Sequence, residues 1–455
     1  MTYLSEFEEY KNGDVLATAF FQRKIDELFL EGGGRFVVPK GKYVLSTVFL
    51  KSGVEIFLES GVELLGSLRF FDYAPHEPVD YPLYQDASHS FFHTSMFVGI
   101  DCENVKITGK GKIDMRSVWD EDNVRNMAHR GAKTIALKRC KNVEISGLEI
   151  NNTTDLAIYF AGCENVDIYD IKMRVYIDGI SPDNSKNVRI HDCDIETGDD
   201  GIVFKSSYTL NRLGICEDIH VWNCKIKSRC NALKFGTETN GGFKNILIEN
   251  IEVFETRITG ISIESVDGAV IDGITIRNVN MRNVNAPIFI HVGKRMRGPT
   301  GREVGKIKNV LLENITASGP YEPYKAMPRN YSTYKTNDLY QYPWIFGNAT
   351  KLQNETDFIK KNDWQMTSNV CGLTESPLEN ITLKNVHLKL DGGVKEYKRE
   401  VPEEAQDYPE VYVYGRVLPA KGIYFRHING LTLDNVTLET YQPDVREAFV
   451  LEDVN

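Results

Sequence analysis

Nine stretches of this chain are written in one frame: "CENVKITGKGKI", "CKNVEISGLEI", "CENVDIYDIKM", "SKNVRIHDCDI", "CEDIHVWNCKI", "FKNILIENIEV", "IKNVLLENITA", "LENITLKNVHL" and "INGLTLDNVTL". Each opens on a turn pair, sets a Val or Ile, alternates, and closes on a second short apolar strand. From Asn142 the anchor returns at Asn165, Asn187, Asp218 and Asn245, in steps of 23, 22, 31 and 27 residues. A unit this short cannot bury its own apolar face, so neighbouring units must stack and share a core. Sandwiches and propellers are also rich in short strands, but a propeller blade takes four strands and about 40–50 residues. The steps here fit three-stranded coils. The expected fold is all-β: a single-stranded, right-handed parallel β-helix running as one domain over residues 1–455. Val and Ile point inward and stack on their equivalents, while Asn and Gly take the tight turns.

The two ends of the repeat read differently. "FFQRKIDELFLEGGG", residues 20–34, has helical periodicity and a glycine stop. A short helix within 18–34 is expected to cap the open first coil, which would otherwise be a sticky edge. Residues 318–370 break the frame and carry Tyr321, Tyr324, Tyr331, Tyr334, Tyr340, Tyr342, Trp344 and Phe346. They read as one long excursion from a coil, its aromatics suited either to stacking on sugar rings or to packing the loop down. A net charge of −11 argues against nucleic-acid and anionic-membrane partners. No signal peptide or membrane span is evident, so the expected location is the cytoplasm. The eight cysteines form no C-x-x-C, and most sit beside apolar residues at like places in the repeat. They are expected to be buried free thiols.

One strand lines up by eye across four coils: "DGISPDN" at 178, "DGIVFKS" at 200, "NALKFGT" at 231 and "TGISIES" at 259. Equivalent positions in stacked coils lie about 4.8 Å apart. Asp178 and Asp200 should therefore be column neighbours, with Asp199 just outside the column. Packed carboxylates repel, and packing raises one pKa while leaving another group ionised. Glycoside hydrolysis needs that split: an acid for the leaving oxygen and a base for water. A carboxylate cluster that holds Ca²⁺ is the rival reading.

The chain resembles glycoside hydrolase family 28, the polygalacturonase-like, pectin-degrading β-helix enzymes. The likeness runs through "GGGRFVVPKGKYVLSTVFLKSGVEIFLESGVELLGS", "DGISPDNSKNVRIHDCDIETGDDGIVFKS" and "YPEVYVYGRVLPAKGIYFRHINGLTLDNV". The family pattern sets an Asp-Asp 21 residues after the Asp of Asn-Thr-Asp-Gly, and Asp178 to Asp199 is 21 residues here. The resemblance implies an inverting hydrolase. Asp199 would be the general acid, and Asp178 and Asp200 would hold and deprotonate the attacking water.

Several positions depart from that pattern. The Asn of Asn-Thr-Asp is Tyr176, and the family His beside the acid falls on Cys230. The Arg-Ile-Lys that grips a uronate carboxylate falls on Ser262-Ile263-Glu264, although Arg257-Ile258-Thr259 offers a second register. The first register keeps the small-residue column Gly179, Gly201, Ala232, Gly260. It removes two cations and adds an acid, so a neutral or atypical sugar is expected in place of galacturonate, held by Glu264, Ser262 and Lys234. Lys205 matches a lysine often seen in the family and reads equally as a counter-ion. His291, one coil on, is a candidate for lining the cleft, though a lone His is more often structural. The expected partner is a pectin-related oligosaccharide cut from an end, with no cofactor and no metal. A uronate lyase or epimerase and a non-catalytic glycan-binding protein are the alternatives. The lost Arg and Lys oppose the first, and the retained aspartates oppose the second.

Overall fold

The computed structural model describes residues 5–117, 131–321, 365–403 and 409–455. Strand pairing runs without a break from Asn12–Leu16 to Glu447–Val454. The frame read in the sequence is the coil. Ile135, Ile158, Ile180, Ile202, Leu233, Ile261 and Ile288 pair in succession, each parallel to the next. Val143, Val166, Val188, Ile219 and Ile246 do the same on a second face. Ile150, Met173, Ile195, Ile226 and Val253 do so on a third. All of these side chains are buried in one core. Each fully buried aliphatic chain contributes about 1.5–3 kcal/mol, so the stack is stabilised rung by rung.

The turns are set by asparagine. Asn142, Asn165, Asn187, Asp218 and Asn245 all have φ between 52° and 58°, a left-handed conformation that Asn and Asp tolerate best after Gly. Their side chains also bond up the stack. Asn142 donates to Asn104 at 3.0 Å, Asn165 to Asn142 at 2.9 Å, and Asn187 to Asn165 at 2.6 Å. The anchor of the repeat is therefore a backbone requirement and an amide ladder at once.

The expected cap is helix α1, Thr18–Leu30, which ends before the Gly32–Gly34 run rather than including it. Phe20, Phe21 and Ile25 are its buried face. Phe21 packs edge-on against Phe36 at 5.1 Å and Tyr43 at 5.6 Å, closing the first coil. No described helix is long and apolar enough to cross a membrane. All eight cysteines are free thiols, and all but Cys230 are buried.

Seven strands carry the functional wall: β1 (Ile180–Asp183), β2 (Ile202–Ser206), β3 (Asn231–Thr239), β4 (Gly242–Ser265), β5 (Val270–Val292), β6 (Ser368–Cys371) and β7 (Ala420–Gln442). The excursion leaves after Ser318 and the stack resumes at β6, where Phe289 of β5 pairs with Asn369. Its aromatics from Tyr324 to Phe346 lie outside the described residues. Tyr321 is described and buried, and its N–H donates to Asp391 Oδ1 at 2.8 Å.

Candidate active site

The pairing of Ile180 with Ile202, and of Ile202 with Leu233, sets Asp178, Asp200 and Asn231 one above another. Asp200 N–H donates to Asp178 Oδ1 at 3.2 Å. Asp200 Oδ1 in turn accepts from the backbone N–H of Asn231 at 3.1 Å and its Nδ2 at 2.8 Å. Thr259 Oγ1 donates to Asn231 Oδ1, which fixes the amide's orientation. Asp178 and Asp200 are 4 % and 5 % exposed, whereas Asp199, just outside the column, is partly exposed.

The glycines around the pair are steric necessities. A Cβ on Gly198 would lie 2.1 Å from the Tyr176 carbonyl oxygen of the preceding coil. One on Gly201 would lie 2.5 Å from Ile226 Cγ2 and 2.6 Å from the Ala232 carbonyl oxygen. Between them, the Asp199 carbonyl accepts from Thr197 Oγ1 and Ser228 Oγ, both at 2.6 Å. The turn that presents Asp199 is thus pinned from two coils, which pre-organises the side chain.

Cys230 comes where the family histidine was expected. The ligating atoms of Asp199, Asp200 and Cys230 lie within 4.8 Å of one another. Though its surface is only half-buried, Cys230 is surrounded closely enough by protein that desolvation pushes its thiol well up, and the charges of Asp199, Asp200 and Glu410 push it further. It is therefore a neutral S–H. Calcium takes six to eight oxygen ligands, and two carboxylates beside a protonated thiol do not meet that need.

Lys205 reads from the sequence as either a substrate-binding lysine or a counter-ion, and its surroundings are those of a counter-ion. Its ammonium is buried and bonds Glu238 Oε2 at 2.9 Å. Burial alone would lower its pKa, but Glu238, Asp178 and Asp200 more than offset that and raise it. It adds fixed positive charge behind the aspartates.

The remaining expected contacts are corrected by their surroundings. Lys234 pairs with Ser262 across β3 and β4, and Glu264 with His291 across β4 and β5. This pairing keeps the small-residue column of Ala232 and Gly260, while Arg257 falls at the preceding corner beside Cys230. Yet Lys234, Ser262, Glu264 and His291 are at most 2 % exposed. Residues 409–418 lie over them. Val411, Val413, Tyr414 and Leu418 pack on Ala286, Phe289, Cys371 and Tyr424. Asn369 Nδ2 donates to the Val411 carbonyl at 2.8 Å, and Tyr414 Oη lies 3.0 Å from His291 Nδ1. His291 is therefore a packed structural residue and not a cleft residue. Ser262, Glu264 and Lys234 meet a sugar only if this cover moves.

Glu264 also changes its expected charge. Burial first, and then the Glu410 carboxylate, raise its pKa from 4.5 to about 8, against the pull of Lys234. Ser262 Oγ bonds its Oε1 at 2.5 Å, and its Oε2 has no bonding partner among the described residues. At neutral pH it is mostly the protonated acid.

Glu410 is the residue that sequence reasoning missed. Its Oε1 accepts the Lys234 ammonium at 2.7 Å, and both its oxygens are 3.5 Å from Asn231 Nδ2. It is 176 residues from Lys234 in the chain. The only signal was a lone acid in an otherwise apolar and aromatic run, "YPEVYVYG".

The chain is thus a right-handed parallel β-helix with Asp178 and Asp200 stacked on one wall and Asp199 beside them. The family model described as glycosyl hydrolases family 28 matches residues 32–323. The chain belongs to that family. It is 28 % identical over 280 residues to a probable polygalacturonase of Vitis vinifera, covering 58 % of this chain and 56 % of the relative. The chain spans about half the length of the curated relatives it matches. In fold it is similar to a Yersinia enterocolitica family 28 exopolygalacturonase, with TM-score 0.70 and 19 % identity over 99 % of this chain and 77 % of that one. It is likewise similar to a hyperthermoactive exopolygalacturonase of Thermotoga maritima, with TM-score 0.67 and 18 % identity over 94 % and 89 %.

Proposed function

We propose that this protein is an inverting glycosidase that removes a terminal residue from pectin-related oligosaccharides. The observation that carries the reading is the buried Asp178–Asp200 column with the partly exposed Asp199 beside it. Asp199 would protonate the leaving oxygen. Asp178 and Asp200 would bind the attacking water and take its proton, the two roles that inversion divides between separated carboxyls. Family membership and the grape relative's description support a pectic substrate.

Two further features refine the reading. Residues 409–418 cover the wall around Lys234 and His291, next to the acids, which favours attack at a chain end. The described lysines of this wall are already neutralised, Lys205 by Glu238 and Lys234 by Glu410. Among the described residues, neither lysine of this wall is left to grip a uronate carboxylate, which favours a neutral sugar at that position.

The test is to incubate the protein and its Asp199→Asn variant with neutral and acidic pectic oligosaccharides. Products are resolved by chromatography, and the first anomer formed is read by proton NMR. A neutral monosaccharide of inverted anomeric configuration, lost in the variant, is the expected result. Released galacturonate would overturn the neutral-sugar reading and point to Arg257 at the corner. An unsaturated product absorbing in the near ultraviolet would replace hydrolysis with elimination.

A further inference from the structure

The Lys234 ammonium sits among three carboxyl groups: Glu410 Oε1 at 2.7 Å, Glu264 Oε1 at 3.6 Å and Asp200 Oδ2 at 3.7 Å. Glu410 holds the one short contact: burial, with Asp200 and Asp199, raises its pKa from the usual carboxylate value, while the 2.7 Å bond to the Lys234 ammonium pulls it back toward the ionised form. The titratable groups that face Glu410 come from every element around it. They are Asp199 and Asp200 from the turn before β2, Cys230 and Lys234 at β3, Glu264 of β4, and Tyr412 of its own segment. Asn231 touches both Asp200 and Glu410.

We infer that Glu410 is a positioning residue for hydrolysis, which holds the Lys234 ammonium back from a short contact with Asp200 and sets a negative charge beside Asp199 where Cys230 offers none. The inference rests on the proposed roles of Asp199 and Asp200. Without its 2.7 Å partner, the Lys234 ammonium moves toward the next carboxylates, and Asp200 is one of them. A base held by a direct ammonium contact gives up its electron pair less readily. On the acid side, a nearby anion disfavours a second one, so the Glu410 charge helps Asp199 keep its proton to higher pH. The neutral thiol of Cys230 cannot supply that effect. Both consequences follow from one buried carboxylate on a segment far away in sequence.

The test compares wild type, Glu410→Gln and Glu410→Asp on oligosaccharides from partial acid hydrolysis of pectin, measuring kcat and KM from pH 3.5 to 8. In Glu410→Gln both limbs of the pH profile should move to lower pH by about one unit. At neutral pH kcat should fall about tenfold, with KM changed less than about threefold. Glu410→Asp keeps the charge and should restore most of the profile. It also carries the test if the Gln variant does not fold. A fall in melting temperature with both limbs in place would make Glu410 merely structural and overturn the inference. If wild type releases no sugar, the hydrolase reading fails and the inference falls with it. An active wild type whose profile the variants share refutes the inference alone.

Discussion

Glu264→Gln separates a buried neutral acid from a buried charge. In the folded protein the Glu264 pKa is raised from 4.5 to about 8, chiefly by burial. The folded state therefore binds this proton more tightly than the unfolded state. Its contribution to stability is complete below about pH 4.5 and is lost as pH rises through about 8. At about 1.36 kcal/mol per pH unit, the gap between those values corresponds to on the order of 5 kcal/mol at most. Lys234 and Glu410 share the titration, which makes this a ceiling. Glutamine keeps the shape and can still accept from Ser262 Oγ, yet it cannot ionise. The assay is the urea midpoint, followed by circular dichroism, for both proteins at intervals from pH 4.5 to 9. Wild type should lose stability steadily above pH 5, and the variant should lose markedly less. The two curves should cross or converge toward the alkaline end. Midpoints that fall in parallel across the whole range would refute the argument that Glu264 is held protonated.

Gly198→Ala should leave most of the solenoid folded but cut activity by at least about a hundredfold, because the added Cβ meets the Tyr176 carbonyl at 2.1 Å and must displace the Asp199 turn. Circular dichroism together with the product assay separates the two effects. Asn231→Ala removes the 2.8 Å bond to Asp200 Oδ1 and should cost about 1–3 kcal/mol of stability, with kcat falling more than KM rises. Phe21→Ala, in the cap helix, should lower the unfolding midpoint by the equivalent of about 3–5 kcal/mol and leave KM unchanged, as thermal melts and kinetics would show. Exhaustive treatment with EDTA should leave hydrolysis intact, since the Asp199, Asp200 and Cys230 set lacks the oxygens calcium requires. Loss of activity that calcium restores would reverse that conclusion.

Much of this protein is legible in its sequence because a solenoid is built from local rules. The spacing of Asn142, Asn165 and Asn187 gives the coil length, since each turn needs a left-handed residue at the same place. The alternation between the turns fixes which side chains face inward. Once the coils stack, Asp178 and Asp200 must be neighbours, and the Ser262–Glu264 register follows from the same column. Even the glycines beside Asp199 and Asp200 are explained by coil-to-coil distance.

What the repeat does not encode is what lies on top of it. Whether an outward-facing residue meets solvent depends on a segment that belongs to no coil. Residues 409–418 fold back over strands up to 179 positions earlier, and no period in the sequence reports that contact. That one segment buries His291, brings Glu410 to Lys234 and keeps Glu264 protonated. The sequence by itself therefore determined the solenoid and its column of acids, because both come from contacts between neighbouring coils. Tertiary structure alone decided the charge state and accessibility of the wall beside them, because burial and electrostatics depend on everything packed nearby and not on the order of residues along one coil.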